Sequence, residues 1–248
     1  MLKSSIDKTS LRIAAIVIAV GLFFVAAHHV SALTFDQKKN RYVLDSETII
    51  TYSIIIPEGK TLVVKPGVHV LFDGYYSLTI KGLIIAEGTD DRPVIFSAVD
   101  RPSGSSEPPQ WKGIEISGKK AAGRFKHCRF EGAYRNLAWS ADPSFDSCDF
   151  IGNHYGLYCA DKAAPHIRSC RFFRNTYGIA VDYAFPLLAD NTISENKIGL
   201  YLQLCSETIA NKNSITLNGT DIRSENAFGD NPASLSLQKM WDLMQQLY

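Results

Sequence analysis

Between Cys128 and Arg223 apolar and polar positions recur about every 21 residues. Set in columns, the chain reads Cys128-Arg-Phe130, Cys148-Asp-Phe150, Cys170-Arg-Phe172, Asn191-Thr-Ile193 and Asn213-Ser-Ile215, with start-to-start spacings of 20, 22, 21 and 22. Five residues into the later units stand Asn153, Asn175, Asn196 and Asn218; eight in come Gly156-Leu157, Gly178-Ile179 and Gly199-Leu200. Within each triplet the outer residues share one face and the middle one takes the other, the period of a β-strand. Short strands at a fixed period of this size predict a solenoid, whose coils bury their apolar faces by stacking on one another.

Each column carries a physical expectation. Phe130, Phe150, Phe172, Ile193 and Ile215 should form one inward ladder, because they occupy the third position of every triplet. The outward residues Arg129, Asp149 and Arg171 alternate in sign, which predicts charges facing their opposites on adjacent coils. The Asn column suits a turn in the left-handed backbone region, with stacked amides bonding along the solenoid axis. Three of the five cysteines share the first position, so they are expected to be free, buried thiols. Their linear stacking argues against a metal site, and no metal or cofactor is expected.

The strand pattern extends upstream in a looser register. Thr61-Leu-Val-Val64-Lys-Pro-Gly67 and Ser77-Leu-Thr-Ile80-Lys-Gly82 put Leu62, Val64, Leu78 and Ile80 inward and Thr61, Val63 and Thr79 outward. Residues 100–110, rich in Pro, Ser and Gly, read as an excursion loop, with re-entry at Trp111. With 176 residues from Ile49 to Ser224 at about 22 per coil, the expected fold is all-β, a right-handed parallel β-helix of about eight coils. Residues 33–48 are expected to cap its start. Residues 225–248 are read as a loop and a short C-terminal capping helix, with Leu237, Met240, Trp241, Met244 and Leu247 at helical spacing.

The N-terminus changes the cellular setting. Lys3, Lys8 and Arg12 precede an uncharged run from Ile13 to Ala27, and Val30-Ser31-Ala32 offers small residues at a cleavage site. Residues 1–32 therefore read as a signal peptide, or as an anchor if uncleaved, and the body is expected outside the cytoplasm, periplasmic or secreted. The net charge of +1, from 26 basic and 25 acidic residues, gives no broad field for nucleic acid. Membrane contact is expected only through the N-terminal segment.

Taken with Ala86-Glu-Gly-Thr-Asp-Asp-Arg-Pro-Val-Ile-Phe96 and Trp111-Lys-Gly-Ile-Glu-Ile116, these motifs resemble the right-handed parallel β-helix repeat proteins of the pectate-lyase-like superfamily. That resemblance implies a fold and a range of functions, since relatives include polysaccharide lyases, hydrolases, epimerases and surface-binding proteins. The paired acids of the polygalacturonase-like members are missing, and Ala164-Pro165-His166 keeps only the Pro-His core of the epimerase motif. Catalytic residues are accordingly not assigned. Asp142, Asp161 and Asp182 fall 14, 13 and 12 residues after their coil starts and form a loose outward acidic column. Tyr158 and His166 are candidate ligand contacts beside them. The expectation is a non-catalytic extracytoplasmic scaffold or binding module for a surface polysaccharide or an envelope partner. The alternatives are a polysaccharide-active enzyme using outward aspartates on adjacent coils, and a protein-interaction scaffold docking through its C-terminal helix.

Overall fold

The computed structural model describes residues 34–37, 39–99, 111–205 and 212–225. The signal segment, the 100–110 loop and the C-terminal capping helix expected above lie outside the described residues. Within the described residues every regular element is a strand, arranged in three 8-stranded sheets. Sheet A comprises Thr34–Asp36, Arg41–Leu44, Thr61–Val64, Leu83–Glu87, Ala122–Lys126, Ser144–Asp146, His166–Arg168 and Leu187–Ala189. Sheet B comprises Thr48–Ile50, His69–Phe72, Val94–Ala98, Cys128–Glu131, Asp149–Ile151, Arg171–Phe173, Thr192–Ser194 and Ser214–Thr216. Sheet C comprises Ile54–Ile56, Ser77–Ile80, Gly113–Ser117, Arg135–Trp139, Tyr155–Ala160, Tyr177–Asp182, Ile198–Gln203 and Thr220–Glu225.

The chain visits the sheets in the order A, B, C and then climbs one coil, so neighbours within a sheet are parallel. Coil 1 begins at Arg41, and coil 8 is present through its B and C strands. The fold is thus a parallel β-solenoid of about eight coils, as the period predicts. Thr34–Asp36 is the exception: it pairs antiparallel with Arg41–Leu44 and covers that edge of sheet A. An edge strand covered in this way cannot template another chain.

Sharp corners hold the three sheets together. His127, Ser147, Ser169, Asp190 and Lys212 turn the chain from A to B, all with positive φ. Gly132, Gly152, Arg174, Glu195 and Leu217 do so between B and C, and Ser140, Asp161, Tyr183 and Leu204 after C. A non-glycine residue in this region costs roughly 1 kcal/mol, which the stacking of coil on coil must offset.

Here the structure corrects the Asn expectation. The left-handed residue is the one before each asparagine, and the turn it makes swings the next side chain inward. Asn153, Asn175 and Asn196 are consequently buried. Asn153 Nδ2 donates to Asn175 Oδ1 at 3.0 Å, Asn175 Nδ2 to Asn196 Oδ1 at 2.9 Å, and Asn196 Nδ2 to Asn218 Oδ1 at 2.9 Å. Each Oδ1 also accepts the backbone N–H of the preceding Asn. The ladder ends at Ala133, whose N–H donates to Asn153 Oδ1 and whose bridge partner is the fully buried Trp111. The indole stacks on Phe72 at 4.1 Å and donates its N–H to Glu131 O at 2.8 Å.

The aromatic ladder forms as expected. Phe96, Phe130, Phe150 and Phe172 stack with centroids 5.3, 4.7 and 4.4 Å apart, and Ile193 and Ile215 continue the column. Phe125 and Phe145 form a second stack that meets the first edge-on. All five cysteines are free and buried.

Candidate functional site

Parallel stacking places equivalent residues of each repeat side by side, so an outward residue type that recurs becomes a stripe. On sheet C the register sets Arg135 beside Tyr155, Tyr155 beside Tyr177 and Tyr177 beside Ile198. One position earlier, at the B to C corner, Tyr134 and His154 follow one another on successive coils. Their rings form an unbroken chain: Tyr75 to Tyr134 at 6.2 Å, Tyr134 stacked on His154 at 5.1 Å, and His154 edge-on to Tyr155 at 4.6 Å. It continues from Tyr155 stacked on Tyr177 at 4.8 Å to Tyr201 at 5.6 Å. The strip therefore runs from coil 2 to coil 7 along the solenoid axis. Tyr75 and Tyr134 are exposed and the others are half-buried.

Polar groups border the strip in a repeated arrangement. Tyr158 Oη donates to Asp182 Oδ2 at 3.0 Å, and two coils on Tyr201 Oη donates to Glu225 Oε2 at 2.6 Å. Both tyrosines occupy the same column of sheet C, and both carboxylates occupy the column that begins Ser117, Trp139, Ala160. Trp139, in that second column, is exposed. The Arg135 guanidinium lies 5.6 Å above the Tyr158 ring and makes no ion pair among the described residues.

These surroundings fix protonation. Burial, and then the bond to Asp182, hold the Tyr158 phenol well above its usual range. Tyr201 is pushed up to about 12, first by its bond to Glu225 and then by burial. His154 is lowered by burial and then by Lys197, and Tyr155 is raised by burial. At neutral pH these shifts favour the neutral forms of His154, Tyr155, Tyr158 and Tyr201. Such a surface can stack against apolar ring faces and exchange hydrogen bonds at its border.

Of the residues singled out from the sequence, Tyr158 and Asp182 are brought together directly. Asp161 belongs to a different column: Asp182 pairs in register with Ala160, and Asp161 aligns with Tyr183 at the corner after sheet C, where both have positive φ. The offset arises because Asp161 begins the turn while Asp182 ends the strand. Asp161 accepts the Ser140 hydroxyl, and Asp142 accepts the Ala164 N–H at 2.7 Å. His166 starts the sheet A strand of coil 6, on another side of the solenoid. The three aspartates thus do not line up as one outward column, and two of them hold turns. Among the described residues no group of three or more His, Cys, Asp or Glu is arranged to hold a metal ion.

Sequence reasoning missed Tyr134, His154, Tyr155 and Tyr177. The available signal was positional, since Tyr155 and Tyr177 immediately precede the Gly156 and Gly178 of the repeat. Residues 109–219 match the family described as right handed beta helix region. No curated protein and no solved structure matches the chain.

Proposed function

We propose that this chain, a parallel β-helix with an aromatic strip along one sheet, is a binding module that holds a polysaccharide laid along the solenoid axis outside the cytoplasm. The reading is carried by one observation, the continuous ring chain from Tyr75 through Tyr134, His154, Tyr155 and Tyr177 to Tyr201. Neutral rings on a rigid scaffold offer contact area at little ordering cost, because their neighbours in the strip already restrict them. A linear ligand of repeated rings matches a linear array of repeated rings.

The binding is proposed to be non-catalytic. The carboxylate beside the strip, Asp182, accepts a tyrosine hydroxyl, and Asp142 and Asp161 each serve a turn. The proposed extracytoplasmic setting is supported by the uncharged run from Ile13 to Ala27 with its basic flank.

Retention of the full-length protein on a panel of neutral and acidic polysaccharides tests this, with new reducing ends assayed in parallel. Wild type is expected to be retarded by at least one polysaccharide without releasing product. Tyr155→Ala and Tyr177→Ala should each weaken retention by about tenfold while melting within a few degrees of wild type. Equal retention of both variants, or retention of wild type by none of the panel, refutes the reading; product release that Asp182→Asn abolishes would replace it with an enzyme.

A further inference from the structure

A second recognition site lies on a different sheet. The outer face of sheet B carries a groove of about 520 Å³ across coils 4 to 6, walled on one side by the segment Thr89–Pro93 that joins sheets A and B in coil 3. Its volume lies in the range of small-molecule sites. Asp149 and Arg171 line it on adjacent strands, Ser147 and Ser169 on successive corners, and Phe173 at the coil 6 side. None of these belongs to the sheet C strip.

The two arginines of the groove are already paired. Asp149 receives Arg171 in a two-point pair, Nε to Oδ1 at 2.7 Å and Nη2 to Oδ2 at 2.5 Å. Arg129 turns to Glu131 at 2.6 Å, and His127 Nδ1 meets Asp90 at 2.8 Å. This corrects the expected charge ladder: its second rung forms, and its first is replaced by a pair within one strand. Arg171 takes both oxygens of Asp149, and Arg129 pairs with Glu131 on its own strand.

A ligand bearing net charge would have to break one of these pairs and leave a partner unmatched, which is costly where Asp149 is only 16% exposed. What remains on offer is uncharged: the Ser169 hydroxyl, the acceptor lone pairs of Ser147 one coil away, about 4.8 Å along the axis, whose own proton goes to Asp146 Oδ1 at 3.0 Å, the unused N–H groups of the arginines, and one aromatic face. The Phe173 ring is held by Arg171 and Arg174, whose guanidinium carbons lie 5.9 and 6.0 Å from its centroid. Hydroxyls and N–H donors beside a fixed apolar ring complement a molecule with many hydroxyls and one apolar face. We infer that the sheet B groove binds a neutral sugar of one or two residues, independently of the sheet C strip.

Calorimetric titration of the full-length protein tests this, with the methyl glycosides of glucose, galactose, mannose and rhamnose as neutral probes, and glucuronate and inorganic sulfate as charged ones. At least one neutral probe is expected to bind with a Kd near 1 mM. Phe173→Ala and the volume-keeping Phe173→Leu should both weaken it by about tenfold. Tyr177→Ala should leave it unchanged, which separates this site from the strip. Saturable binding of the charged probes alone, binding by none of the probes, or unchanged affinity in both Phe173 variants overturns the inference.

Discussion

Replacing Asn175 by alanine tests the amide ladder where it is most deeply enclosed. In the native protein Asn175 Oδ1 accepts the Asn153 N–H at 2.8 Å and Asn153 Nδ2 at 3.0 Å, and its own Nδ2 donates to Phe150 O and to Asn196 Oδ1. Alanine removes all four bonds. Asn196 Oδ1 keeps the Asn175 N–H, so its loss is partial. Two donors on Asn153 and the amide's bond to Phe150 O have no replacement in a dry interior. At about 1 to 3 kcal/mol for each of these three stranded groups, the expected cost is roughly 3 to 9 kcal/mol. That is a large share of the about 5 to 15 kcal/mol by which folded domains are stable. Asn218 Oδ1 takes the same two bonds from Asn196, but at the half-buried end of the ladder water can replace part of them, so the same change there should cost less, about 1 to 2 kcal/mol. Urea unfolding of the full-length protein, followed by circular dichroism, reads the difference. If Asn175→Ala and Asn218→Ala lose the same stability within about 1 kcal/mol, the ladder does not act as argued.

Other columns give further expectations. A Cβ on Gly178 would sit 2.5 Å from Gly199 O and 2.9 Å from Ile193 Cγ2, so Gly178→Ala should destabilise by about 1 to 3 kcal/mol in the same urea assay. Burial pushes the thiols of Cys148, Cys159, Cys170 and Cys205 above their ordinary range, Cys205 to about 12. A thiol reagent should therefore find no fast-reacting cysteine in the native protein and five after unfolding. Tyr201 is raised from 10.0 to about 12, so its contribution to stability is complete below pH 10 and is lost as pH rises through about 12. Glu225→Gln removes the first cause of that rise, and phenolate absorbance should show the Tyr201 ionisation moving back toward 10.0. Glu225 is shifted the other way, lowered by the same bond and then by Arg223, so its contribution fades as pH falls through that depressed value.

The sheet C strip shows where column reading stops. Tyr158 and Asp182 were legible as neighbours because both break the apolar rule at outward positions on consecutive coils. Asp161 looked like their companion by residue count, yet a count along the sequence cannot tell the last residue of a strand from the first of a turn. Tyr134 and His154 escaped notice because they lie at a corner, where the alternation that assigns inside and outside has already lapsed. The first rung of the charge column failed for another reason: Arg129 has one acid on its own strand and another on the next coil, and a linear pattern carries no information about which it pairs with.

By itself the sequence determined the coil length, the inward Phe and Ile ladder, the buried free cysteines and the parallel solenoid that they require. Those features depend on local alternation repeated at a fixed spacing, and stacking simply copies them from one coil to the next. Only the tertiary structure decided where the asparagines point, which arginine keeps Asp149, and that tyrosines and a histidine from five coils join into one surface. These outcomes depend on the left-handed corners and on the register between coils, which set side-chain direction and distance among residues about 20 positions apart.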